Sequence, residues 1–178
     1  MIKSLLATVA LASTLLATTS ALAAPQIERF GTPAFPISGV VVVHGVGGAD
    51  IAYASGVPGD AKAGDTEAQT VDALKKLIGG LEAHGFRAGD IVMMRVFLVG
   101  DPDADGKMDF RGMMRGYTQF FGTPEQPNKP ARTTVQVAGL ASPGSLVEIE
   151  AQAVKGRCAA VLCGGPMPHA SAAPRHHD

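Results

Sequence analysis

Pro130-Ala131-Arg132-Thr133-Thr134-Val135-Gln136-Val137, PARTTVQV in one-letter code, alternates polar and apolar residues with the period of a half-buried strand. Arg132, Thr134 and Gln136 share one face, and Thr133, Val135 and Val137 share the other. Leu146-Val147-Glu148-Ile149-Glu150 repeats the pattern, with Val147, Ile149 and Ala151 opposing Glu148, Glu150 and Gln152. Pairing the two strands as a hairpin lays their apolar faces on helices and makes their polar faces coincide. That polar face has two readings. It is a water-facing surface, ordinary in antiparallel sheets, or a site where Arg132 offers a planar bidentate fork to a carboxylate while Glu148 handles protons or positions water.

Working outward, Ile37–Val43 and Ile51–Ser55 are apolar runs separated by Gly45, Gly47 and Gly48, which predicts a hairpin. Thr66-Glu67-Ala68-Gln69 fits a capping box. It opens a helix whose Val71, Leu74, Leu77, Ile78 and Leu81 share a face, with Gly85 as the stop. Ile91–Val99 is apolar on both faces apart from Arg95 and predicts a central strand covered on both sides. Asp109 is a good N-cap for a second helix carrying Phe110, Met113, Tyr117, Phe120 and Phe121 at helical spacing. A Pro-rich loop over 123–130 leads to the two opening strands. The predicted order is β-β-α-β-α-β-β, an α+β domain with both helices on one face of the sheet.

The N-terminus reads differently. Lys3 is followed by an uncharged run from Ser4 to Ala24, and Ala21-Leu22-Ala23 matches a small-residue cleavage site. This predicts a secretory signal peptide over 1–23 and a periplasmic or secreted product. Cleavage leaves 155 residues and removes Lys3, taking the formal charge from −1 to −2. A single domain over 24–155 is expected, with no membrane segment once the signal is gone. A weakly acidic chain without tryptophan and with two tyrosines offers neither a basic surface nor stacking platforms for nucleic acid.

Residues 156–178 turn to Cys, Gly, Pro, Ala and His without periodicity and read as a flexible tail. Cys158 and Cys163 are spaced for a disulfide across a turn and fit neither a C-x-x-C redox motif nor a four-ligand zinc site. Asp101, Asp103 and Asp105 begin a D-x-D-x-D-G calcium-type loop with Asp109 at the ninth position, but Gly112 stands where the twelfth-position glutamate belongs. A solvated acidic turn is the expected reading, and no metal site is assigned. His44 and His84 receive no role. Met93, Met94, Met113 and Met114 are assigned to packing.

The run Pro127-Asn128-Lys129-Pro130-Ala131-Arg132-Thr133-Thr134-Val135, with Leu146-Val147-Glu148-Ile149-Glu150-Ala151, resembles the RidA family of enamine and imine deaminases, formerly called YjgF. Tyr53-Ala54-Ser55-Gly56 is similar to the family's early strand, and Glu67-Ala68-Gln69-Thr70 with Leu74 to Leu81 to its first helix. Asp90-Ile91-Val92 leading into Val96-Phe97-Leu98, and Tyr117-Thr118-Gln119-Phe120-Phe121, are similar to its central strand and second helix. The resemblance spans Ile37 to about Val154.

It implies a chorismate-mutase-like subunit in a homotrimer with a central barrel of sheets, helices outside and a pocket at each subunit interface. By the same resemblance Arg132 clamps a substrate carboxylate and Glu148 lies beside the reacting imine. Ser55 and Gly56 line the pocket, and Thr134 and Phe35 complete the substrate-binding set. The implied reaction is hydrolysis of 2-aminoacrylate or 2-iminobutanoate to a 2-keto acid and ammonia, without cofactor. The alternative is a non-catalytic binder of small carboxylates in the same pocket. Two positions depart from the family pattern. Phe35 lies where active members carry a tyrosine in a Gly-Pro-Tyr segment, and Arg95 occupies a place usually held by a small residue.

Overall fold

Val147, Ile149, Ala151 and Ala153 are all buried, and they alternate along the last strand of the chain. The computed structural model describes residues 26–32, 36, 38–101 and 105–157. The predicted signal peptide, Phe35, Asp103, both cysteines and the tail beyond Arg157 lie outside the described residues; Gly156 and Arg157, expected in the tail, instead end the last strand and pair with Asp50, respectively. Within them, one six-stranded sheet is built from β1 (Gln26–Phe30), β2 (Val40–Val46), β3 (Ala49–Pro58), β4 (Ile91–Val99), β5 (Ala131–Val137) and β6 (Val147–Gly156). The helices are α1 (Thr66–Glu82) and α2 (Phe110–Tyr117). No helix among the described residues is long and apolar enough to cross a membrane.

The spatial order is β1-β2-β3-β6-β4-β5. β6 runs antiparallel to both β3 and β4, and β5 runs parallel to β4. A parallel pair needs a long crossover, which α2 supplies. The expected β5–β6 hairpin is therefore overturned, because β4 separates the two strands. β1 lies outside the predicted β-β-α-β-α-β-β order. It adds an edge strand whose first four residues are exposed.

The β2–β3 hairpin turns on Gly47 and Gly48, whose φ of 59° and 84° suit the two-residue turn that matches strand twist. Asp65 caps α1, its carboxylate accepting from Ala68 N at 2.9 Å. Thr66 is thus the first helical residue and the expected capping box does not form. Gln69 is buried instead, donating to Gly64 O at 2.9 Å and accepting from Leu146 N at 2.8 Å. Asp109 caps α2 as expected, accepting from Gly112 N at 2.8 Å, but the helix ends before Phe120 and Phe121.

One face of β4 (Met94, Val96, Leu98) packs with Leu74, Leu77, Leu81 and Met113 in the core. Its other face is open: Arg95 is exposed, and Tyr53 on β3 and Val135 on β5 are 44% and 41% exposed. Among the described residues the double coverage expected for β4 is absent.

His44 lies between strands, with Nε2 3.6 Å from Glu28 of β1 and Nδ1 3.3 Å from Asp50 of β3. Asp50 also accepts from Gly45 N at 3.2 Å and pairs with Arg157 at 2.8 Å. His84 stacks on Phe30 at 3.8 Å, so both histidines fasten β1. Desolvation pushes the Asp50 carboxyl up, but Gly45, His44 and Arg157 outweigh it and hold the group below its ordinary value.

A carboxylate depressed on folding stabilises the fold above its unfolded value of about 4, and the gain is lost as pH falls through the lower folded value. Asp50→Asn should therefore melt below the parent at neutral pH. The gap should close as the solution is acidified below about pH 4. Thermal melts across that range check this; a gap that persists undiminished in acid would refute it.

Candidate functional site

Arg132 stands near the start of β5, opposite Met94 of β4, and thus on the helix-facing side of the sheet. Its stem emerges at an edge strand where α2 rather than the sheet supplies the neighbours. The guanidinium lies 4.4 Å from the ring centre of Tyr117 and 5.8 Å from that of Phe110. Its nitrogens reach the Met114 sulfur at 3.1 Å and the Met113 sulfur at 3.8 Å. Aromatic faces and thioethers orient a cation without neutralising it. Among the described residues no carboxylate pairs with Arg132.

Tyr117 is buried and stacked on Phe121 at 4.9 Å. Burial pushes its phenol above the ordinary value, and the nearby Arg132 charge pulls part of that back. Met114, Tyr117, Thr118, Phe121, Lys129 and Arg132 line a cleft of about 440 Å³. The sequence assigns Met114 to packing and places Tyr117 only at helical spacing on α2. Helical periodicity places them on the apolar face of α2, and nothing in it signals that the face meets an arginine. Thr134 shares the Arg132 face two residues along, and its hydroxyl is shielded from solvent with no hydrogen-bond partner among the described residues.

Glu148 belongs to the opposite side of the sheet. It pairs across β6 with Phe97 of β4 and Pro58 of β3, while its neighbour Ile149 points into the core. A bulge between Ala54 and Val57 carries Ser55 and Gly56 past the register and sets Gly56 beneath the Glu148 carboxylate. A Cβ at Gly56 would stand 2.2 Å from Oε1 and 2.9 Å from the carboxyl carbon. Only glycine lets the carboxylate lie there. Ser55 is fixed by donating to Ser38 O at 2.6 Å, and it lines a recess of about 230 Å³ with Tyr53, Arg95, Glu150 and Gln152.

Arg95 is answered by Glu150, its cross-strand neighbour, in an ion pair on the open face. Gly56 lies against Glu148, with Ser55 beside it in the chain. Arg132 and Thr134 form a separate group with α2. The coincident polar face expected for Arg132 and Glu148 is therefore corrected: β4 intervenes and the side chains leave opposite faces of one sheet.

The acidic segment has other employment at both ends. Asp101 is buried and accepts from the Thr66 hydroxyl at 3.3 Å, while Asp109 caps α2. No group of metal-ligating residues is gathered among the described residues.

Comparison with known proteins agrees with this architecture. A family model described as Endoribonuclease L-PSP matches residues 35–155. A RutC family protein of Pyrococcus horikoshii is 34% identical over 97 residues, covering 54% of this chain and 68% of the relative. A RutC family protein of Haemophilus influenzae is 37% identical over 91 residues, covering 51% and 65%. Among solved structures, a member of the YjgF/YER057c/UK114 family from Mycobacterium tuberculosis matches with a TM-score of 0.55 and 28% identity over 72% of this chain and 98% of its own. A YjgF family member from Neisseria meningitidis matches with a TM-score of 0.54 and 25% identity, covering 73% and 95%.

Gly56→Ala should swing the Glu148 side chain off its seat, since the flexible carboxylate yields before two strand backbones do. The melting temperature should fall by no more than about 5 °C, while a crystal structure shows Glu148 in a new rotamer. An unmoved Glu148 would show that the strand had shifted instead.

Proposed function

The chain belongs to the Endoribonuclease L-PSP family, the YjgF group of its structural neighbours, and we propose that it hydrolyses small 2-imino acids. The observation that carries this reading is the pair of half-sites. One is an oriented, unneutralised guanidinium, and the other is a carboxylate seated over a glycine. In one subunit they lie on opposite faces of the sheet, so the reading places Arg132 of one subunit against Ser55, Gly56 and Glu148 of its neighbour.

The chemistry follows from the groups. Arg132 receives the substrate carboxylate in a bidentate pair, which fixes the adjacent imine carbon. Glu148 takes a proton from water as the water oxygen bonds to that carbon and passes it to the nitrogen; it then takes the hydroxyl proton of the resulting carbinolamine and delivers it to the nitrogen as the carbon–nitrogen bond breaks and ammonia departs. One imine and one water become one 2-keto acid and one ammonia, so the reading calls on no cofactor. The Thr134 hydroxyl supplies a further hydrogen bond on the Arg132 side. A net charge of −1 and the absence of tryptophan favour a small anion over RNA, despite the family's name.

A homotrimer is part of the same proposal. The open sheet face, with Tyr53 and Val135 exposed, is the surface a second copy would cover. Export through the N-terminal segment completes it, placing the enzyme in the periplasm or outside the cell. Light scattering on the mature chain should return three subunits; a monomer at micromolar concentration would remove the shared site.

Arg132→Lys keeps the charge and loses the fork, and should lower kcat/KM on 2-iminobutanoate by about tenfold or more. Glu148→Gln should lower kcat by about a hundredfold. Mixing the two variants as trimers should restore activity, because about a quarter of randomly formed interfaces then hold an intact Arg132 facing an intact Glu148. Parental rates in both single variants would overturn the deaminase reading. Carboxylate binding without imine turnover by the parent would leave a binding protein.

A further inference from the structure

Arg132 does not stand alone as a cation in its cleft. Lys129 lines the same space of about 440 Å³, beside Met114, Tyr117, Thr118 and Phe121. Its stem lies across Gly122, where a Cβ would stand 3.0 Å from the lysine Cε. The loop that carries it is tied down. Gly122 N and Thr123 N donate to Gln126 O at 2.9 and 3.1 Å, and the Asn128 amide donates to Gly89 O at 3.2 Å.

Among the described residues no acidic residue lines this cleft. Among the described residues neither Lys129 nor Arg132 has an acidic partner, although Lys76, Arg95, Arg115 and Arg157 each do. Two uncompensated positive charges in one cleft of a chain with net charge −1 call for an anion that answers both. One carboxylate satisfies the Arg132 fork and leaves the ammonium of Lys129 free for a second.

We propose that the preferred substrate is a dicarboxylic 2-imino acid, its first carboxylate on Arg132 and its second, at the end of a short side chain, on Lys129. This rests on the deaminase reading for the reaction but not for the cleft. The reaction is unchanged: water adds to the imine carbon, the carbon–nitrogen bond breaks and ammonia leaves, giving a 2-keto dicarboxylate.

The test compares 2-iminosuccinate and 2-iminobutanoate, each generated in place by oxidation of the parent amino acid, with imine loss followed on the full mature protein. The dianionic imine should show kcat/KM at least about tenfold higher, a preference that shrinks at high salt. Lys129→Met should collapse that ratio towards one, and Lys129→Arg should keep most of it. A parental ratio near one, or a ratio indifferent to Lys129→Met, overturns the proposal while leaving the deaminase in place. If neither imine is consumed, the deaminase reading fails and calorimetry decides the cleft. Succinate binding about tenfold tighter than butyrate, lost in Lys129→Met, supports the dianion site, and equal affinities overturn it.

Discussion

The structure depends on the last strand being admitted to the middle of the sheet. β6 fills the space between β3 and β4, and its Val147, Ile149 and Ala153 are fully buried. Its entry is guided by polar contacts. Gln69 of α1 holds Leu146 N, the Ser145 hydroxyl donates to Gly59 O at 2.7 Å, and Gly59 N donates to Val147 O at 2.9 Å. These bonds set the register, and a shift of one residue would exchange the buried aliphatics for Glu148 and Glu150. The same register lays Glu148 over Gly56 and Glu150 beside Arg95. Packing and placement of the Glu148 carboxylate are therefore one decision.

Because β4 separates β5 from β6, Arg132 and Glu148 answer to different neighbours. Glu148 is governed by strand register and the β3 bulge. Arg132 is governed by α2, whose Tyr117 is itself held by Phe121. Neither side chain belongs to the apolar core, so each can serve a ligand without the fold depending on it. The supporting residues are different. Tyr117 and Ile149 are core residues whose loss would touch stability and site geometry together.

Much of this was legible in the sequence. α1, the capping of α2 by Asp109, and the alternation of β5 and β6 follow from local periodicity, which records which side of a strand is apolar. Periodicity does not record which strand lies alongside, and the loop over 138–146 is long enough to carry the chain past β4. The face of β5 was misread for a related reason. At an edge strand Val135 stays exposed, while Arg132 finds cation-binding rings on α2. Gln69 looked like a local cap because its long-range partner, Leu146, is 77 residues away. β1 was invisible since QIERF has no buried face to pattern. Backbone pairing with β2 and the Phe30–His84 stack hold it instead. The family resemblance supplied the grouping of Ser55, Gly56 and Glu148, which neither alternation nor spacing alone defined.

A central strand that is also the last of the domain has a kinetic meaning. Ala54 pairs with Ala151 and Val96 with Ile149, so the ladders on both sides of the sheet's centre are absent until the final strand has been synthesised. Such non-local pairing is slow to form, since loop closure precedes any reward from contact. Until then the antiparallel β1–β2–β3 meander and the parallel β4–β5 pair share no ladder, because β6 is the strand that joins them.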